Sequence, residues 1–163
     1  MLFSRKKRLA AEREAREKQE LANRMREQAK AQSSQWLKIV NDCVELVNTT
    51  KSPSVFFPRY NLMLEHLENL AGLECTGIFN NSKELPSVAL SRVENQFPAA
   101  TQDFIDRSYA AAKAKADTLK TDRGRKAAIA RYFEEMDEYI VYMAPVSIDY
   151  WEDLKNTTEK GDL

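Results

Sequence analysis

Four groups of side chains could carry chemistry. Arg5-Lys6-Lys7-Arg8 sets four cations side by side behind Leu2 and Phe3. Near an anionic leaflet each cation is worth about 1 kcal/mol, and the same cluster suits the phosphates of a nucleic acid. Leu2, Phe3 and Leu9 give it only a thin apolar face, short of the large moment of an interfacial helix. Lys120, Arg123, Arg125, Lys126 and Arg131 form a second basic group around Gly124. A glycine there would let the backbone approach a phosphate, and the junction could mimic a helix-turn-helix. Ala127-Ala128 follow where a recognition helix offers polar readers, so Arg123, Arg125 and Lys126 form the weaker anion contact. Their plainer role is pairing with Asp117, Asp122 and Glu134.

The third group is acidic: Glu134, Glu135, Asp137 and Glu138, with Asp103 and Asp106 further up the chain. Helical di-metal sites use Glu-x-x-His from two helices; His66 is the only histidine and no such motif exists. A Mg²⁺ or Ca²⁺ site from Asp103, Asp106 and Glu138 requires that they converge. The fourth group is Cys43 and Cys75, without a CxxC or a paired histidine, which reads as two reduced thiols rather than zinc ligands. There is no Gly-rich phosphate loop, no Gly-x-Ser-x-Gly and no His-Glu-x-x-His. The expectation is a non-enzyme with no catalytic, cofactor-binding or metal residues and no cofactor. The enzyme alternative is a carboxylate-lined metal pocket.

The elements that must position these groups are helical. Of 163 residues only nine are Gly or Pro, and 31% are charged. That balance favours helix over sheet. No run of 18 apolar residues exists, so no transmembrane segment is expected. The basic start lacks an apolar h-region, so no secretion signal is expected and the setting is cytoplasmic, with peripheral membrane contact as the variant. The overall charge of zero hides a split. Residues 1–32 carry ten Lys and Arg against five Glu, a net +5; residues 33–163 carry fifteen against twenty acids, a net −5.

Residues 5–48 read as one helix with Ser4 as its cap. Its second half carries an apolar face of Trp36, Ile39, Val40, Cys43, Leu46 and Val47. The same stripe runs back more weakly through Ala29, Met25, Ala22, Ala15 and Ala11. The first half is laced by acid-first pairs Glu12–Arg16, Glu14–Lys18 and Glu20–Arg24, each worth about 0.2–0.5 kcal/mol. Ser52 caps the next helix, with Pro53 at its first position. Pro58 kinks or delays that helix, and Gly72 ends it. A third helix starts at Pro86 and is kinked at Pro98. A fourth begins after Thr121 and is stopped by Pro145. Ser147 caps a short last helix holding Ile148, Tyr150, Trp151 and Leu154.

Three stretches taken together resemble a group of uncharacterised helical proteins of Gram-positive bacteria and their mobile elements. They are residues 48–60 (Asn48-Thr49-Thr50-Lys51-Ser52-Pro53-Ser54-Val55-Phe56-Phe57-Pro58-Arg59-Tyr60), Asp103-Phe104-Ile105-Asp106-Arg107, and residues 119–126 (Leu119-Lys120-Thr121-Asp122-Arg123-Gly124-Arg125-Lys126). The likeness spans roughly residues 36–143 and departs at Pro58. It implies an all-helical fold in a bacterial cytosol and transfers no site residue.

The fold expected is all-α: an antiparallel bundle of helices 33–50, 54–71, 86–120 and 122–143, with long kinked members. Residues 1–32 form a basic, highly charged helical arm, 33–155 the bundle, and 156–163 a flexible tail. The function expected is an interaction or scaffold module. The arm self-associates along Ala11, Ala15, Ala22, Met25 and Ala29 or meets another protein partner. The alternative is a peripheral binder of anionic membrane or nucleic acid through Arg5, Lys6, Lys7 and Arg8.

Overall fold

A computed structural model describes residues 2–160. Five α-helices follow one another, α1 Leu2–Thr49, α2 Pro53–Ala71, α3 Pro86–Asp117, α4 Asp122–Asp137 and α5 Pro145–Lys160, with single 3-10 turns at Glu74–Thr76 and Ile140–Tyr142. The all-helical bundle read from composition is the fold, and the described residues contain no strand. Helix α3 is its hub, since it touches each of the other four helices.

Helix α1 starts at Leu2, so Ser4 lies inside it rather than capping it. Residues 2–28 contain no Gly, Pro or β-branched residue, and all are exposed. Burial begins at Ala29 and recurs at Ser33, Val40, Cys43 and Val47. This is the side-chain rhythm of one helix face against a partner. The body therefore claims α1 from Ala29, four residues before the expected boundary. Leu46, expected in the core, is exposed, because the buried row falls on Val40, Cys43 and Val47 and leaves it beside the seam.

Helix α2 returns antiparallel along α1, with Arg59 beside Cys43 near the turn and Leu70 near Ser33 at the far end. Pro53 opens the helix, but Ser52 does not cap it. Its hydroxyl meets that of Ser54 at 2.8 Å instead. The helix passes through Pro58 without interruption. Gly72 closes it in a right-handed conformation, so the stop needs no left-handed glycine there. Gly77 is the residue that does require positive φ, at 77°. Leu85 occupies the cap position of α3 and has no side-chain oxygen to offer. The carboxylate of Glu74 takes over, accepting from the Ser87 amide at 2.6 Å. Glu84 and Arg92 close the same corner with a forked pair at 2.9 and 3.1 Å.

Helix α3 runs through Pro98 without a break and ends at Asp117, three residues before the expected end. Thr121 caps α4 as expected, accepting from the Gly124 amide at 3.0 Å. Helix α4 ends at Asp137, not at Pro145, because the chain there tightens into the 3-10 turn. Pro145 instead opens α5 and Ser147 lies inside it. The Ala144 carbonyl accepts the first amides, and the buried Ser147 hydroxyl caps nothing. Helix α5 is sixteen residues long and continues to Lys160, through what composition suggested was a polar tail. The reason is Thr158, which is buried and meets the Tyr109 hydroxyl at 3.3 Å. Residues 161–163 lie outside the described residues.

Two clusters hold the body. At the α1–α2 corner, Phe56 stacks on Phe104 of α3 with centroids 4.3 Å apart and planes 6° apart. Arg107, one turn on, lies over the Phe104 ring at 5.7 Å. It donates to the Val47 and Thr50 carbonyls, each at 2.8 Å. The first lies in the last turn of α1, where carbonyls have no partner within the helix, and the second just beyond its end. At the other cluster, Trp151 is fully buried against Tyr132 and Phe133 and donates to Asp137 at 2.8 Å. Lys155 closes on the same carboxylate at 3.0 Å. Burial works against its charge, but Asp137 and Glu152 outweigh it and hold the ammonium above the ordinary lysine value.

Phe104→Ala is expected to lower unfolding free energy by about 3–5 kcal/mol in urea denaturation, and a loss below about 1 kcal/mol contradicts its keystone place. Tyr60 is buried and donates to the Val93 carbonyl at 2.6 Å, and burial pushes its phenol from 10 up to about 12. Folding thus favours the protonated form. Its contribution is complete below pH 10 and falls as pH climbs through about 12. Tyr60→Phe should cost about 0.5–1.5 kcal/mol at neutral pH and make the alkaline loss shallower. An unchanged alkaline slope would refute the assignment.

Candidate functional site

The carboxylates do not form a centre. Asp106 accepts the Tyr150 hydroxyl and so faces α5. That bond, with burial second, pushes the Tyr150 phenol up to about 12. Asp103 lies on the rim of a shallow groove with Val47, Asn48 and Arg107. Glu138 sits at the cap of α4. Among the described residues no three His, Cys, Asp or Glu side chains come together to hold a metal. His66 is half-buried and gives its Nδ1 proton to the Leu62 carbonyl at 3.0 Å, one turn back on its own helix.

The second basic group does not build a phosphate cradle. A Cβ on Gly124 would lie 2.9 Å from the Thr121 hydroxyl. The glycine therefore makes room for its own helix cap, not for an outside anion. Arg125 pairs with Asp122 at 2.5 Å, as the plainer reading had it, while Arg123 and Lys126 are exposed. The more open cationic surface is a neighbouring groove of about 660 Å³ between the α1–α2 turn, α3 and α4. Lys51, Lys115 and Arg131 stand on its edges above an alanine floor, Ala111, Ala112 and Ala128, with Glu135 the acid among them. All three resembling stretches meet around this end of the body: Thr50 and Ser52 from the first, Leu119 from the third, and Arg107 of the second bonded to Thr50.

The arm is the surface that the sequence marked most strongly. Arg5, Lys6, Lys7 and Arg8 are all exposed; Arg8 approaches Glu12 at 3.6 Å, and the other three enter no ion pair among the described residues. Of the expected acid-first pairs, Glu14–Lys18 forms at 3.0 Å. Glu12 turns to Arg8 instead of Arg16. Ala11, Ala15, Ala22 and Met25 are exposed, whereas Ala29 is buried within its own chain. The free stripe therefore stops at Met25. Its face continues, turn by turn, the face that α1 buries from Ala29 onward. No described helix is long and apolar enough to cross a membrane.

Sequence reasoning missed one surface altogether. Phe57, Pro58, Tyr60, Leu64, Phe97, Tyr139 and Tyr142 line an aromatic groove of about 440 Å³ beside the α1–α2 corner. The Phe57 and Tyr139 rings lie 5.5 Å apart and 11° from parallel. Tyr142 is 60% exposed and its neighbour Val141 81%. No sequence signal marked it, because the helical spacing runs on to Met143 and only the structure ends α4 at Asp137. Once α4 ends there, Tyr139 to Tyr142 leave the helical face and part of the set must face outward.

No family model matches the chain, and neither a curated protein nor a solved structure is significantly similar to it.

The two cysteines give a direct check of the packing. Cys43 is buried, and burial pushes its thiol up against the pull of Arg59, while Cys75 is exposed. A thiol reagent should label Cys75 alone in the native protein and both after denaturation. Rapid native labelling of Cys43 would mean that the α1–α2 seam is open.

Proposed function

We propose that the protein is an interaction or scaffold module of the bacterial cytosol. Its basic arm joins the acidic helical body to a protein partner, and the partner is first of all a second copy of the chain. The observation that carries this reading is the arm itself: residues 2–28 are helical and exposed on every side. A solvated helix of that length gains nothing from its own body. It keeps an alanine stripe in phase with a buried face and carries the opposite net charge to the rest of the chain. The three-stretch resemblance supports the bacterial setting.

Alanine buries little area, so the stripe alone is a weak seam. Other contacts must add to it in any stable assembly. The second reading, contact with an anionic membrane or nucleic acid, is favoured by Arg5, Lys6 and Lys7, which have no carboxylate partner among the described residues. Binding of that kind falls steeply with salt and disappears when Arg5, Lys6, Lys7 and Arg8 become Ala.

Light scattering on the full chain and on a chain lacking residues 2–27 separates the readings. That cut removes only exposed residues, so the body is undisturbed. The expected result is a mass above one copy for the full chain and one copy for the shortened one. One copy in both cases overturns the self-association reading.

A further inference from the structure

The aromatic groove and the tip of the arm are chemically matched, and they lie at opposite ends of the molecule. We propose that the groove receives the arm tip, Leu2 and Phe3, of a second copy of this chain, so that molecules join head to tail. The proposal rests on the arm being an assembly element and names the surface that it meets.

The first described residues of the arm are an exposed leucine and an exposed aromatic ring, followed by cations. Phe3 is 86% exposed, Leu2 79%, and Arg5, Lys6 and Lys7 follow within about one turn. A receiving site must offer aromatic walls with acid around them. The groove has the walls: Phe57 and Tyr139 stack on each other as one side, with Leu64, Phe97 and Tyr142 completing the slot. A phenylalanine ring packs against such rings by edge or offset stacking. The groove also has the acid. Glu65 and Glu68 lie one helical turn beyond Asn61 and Leu64 on the same face of α2. Glu94 lies one turn before Phe97 on α3, and Glu138 adjoins Tyr139. All four are exposed, and among the described residues none is in an ion pair. The single Lys or Arg of α2, Arg59, is turned to the other side, against Cys43, and Arg92 of α3, whose charge reaches Tyr60, is paired with Glu84.

Charge selects between the open surfaces. The larger groove edged by Lys51, Lys115 and Arg131 repels a basic tip. The aromatic one attracts it. Distance selects between copies. Phe57 stands at the corner where α1 ends, and a straight helix from Phe3 to Val47 spans about 66 Å. The tip of one molecule cannot fold back to its own groove. Tip and groove are different surfaces, so the contact is heterologous. A single such contact leaves one tip and one groove free, so the assembly either propagates or closes, two copies exchanging tips being the smallest closed form.

The test uses full-length variants and solution mass. Wild type should rise above one copy as concentration increases. Phe3→Ala and Tyr142→Ala should each weaken association by about tenfold or more when alone. An equimolar mixture of the two should stop at two copies, because it retains one intact tip and one intact groove. Glu68→Lys changes only an exposed charge and should weaken association with an unchanged circular dichroism spectrum. It decides the matter if Tyr142→Ala folds poorly. Lys115→Ala, in the cationic groove, should leave the mass unchanged. Arm-dependent association that ignores Phe3, Tyr142 and Glu68 overturns this proposal and leaves the arm reading standing. A wild-type chain that stays single overturns both.

Discussion

The architecture depends on one corner, where Phe56 lies flat on Phe104 and Arg107 reaches across that ring to carbonyls at the end of α1 and just beyond it. The stack fixes the start of α2 to the middle of α3. The guanidinium fixes the end of α1 to the same turn. A helix end needs acceptors satisfied, and here the side chain that does it is already immobilised by packing. Because α3 touches every other helix, the geometry set at this corner carries to α4 and α5. The aromatic groove stands beside the same corner and shares Phe57 with it.

The arm follows from the same constraint. Helix formation has a costly first turn and cheap propagation. The packed half of α1, from Ala29 to Thr49, supplies the nucleus. The exposed half adds residues that cost little to propagate, with no Gly, Pro or β-branched side chain among 2–28. One helix therefore has two environments. Its far end is held by Arg107, and its first described residues, Leu2 and Phe3, are exposed. The charge split of the sequence becomes a spatial one, basic along the arm and acidic over the body.

Much of this was legible in the sequence, and the reasons differ by element. The long α1 was readable because its heptad-like spacing and uninterrupted helix formers agree. Thr121 was readable as a cap because a hydroxyl three residues before a glycine has a local partner. Ser52 and Ser147 looked equally suitable. They fail because a neighbouring hydroxyl in one case, and the opening of α5 at Pro145 in the other, put them out of use. Glu74 and Arg107 do the capping from 13 and 57 residues away along the chain. No local pattern announces such partners. The end of α5 was misread for the same reason, since Thr158 is held by Tyr109 from α3. Of the surfaces, the arm was visible as charge. The aromatic groove was hidden inside what reads as a continuous apolar face of α4.

The proposed role of the arm, an assembly device rather than a solvated appendage, is open to direct measurement. Sedimentation velocity of the intact chain over a wide concentration range, at low and at high salt, tests it most directly. An assembling arm gives a sedimentation coefficient that rises with concentration. Salt should lower it without abolishing the climb, because apolar and charged contacts act together. A single coefficient, that of one elongated molecule at every concentration and at both salt levels, contradicts it.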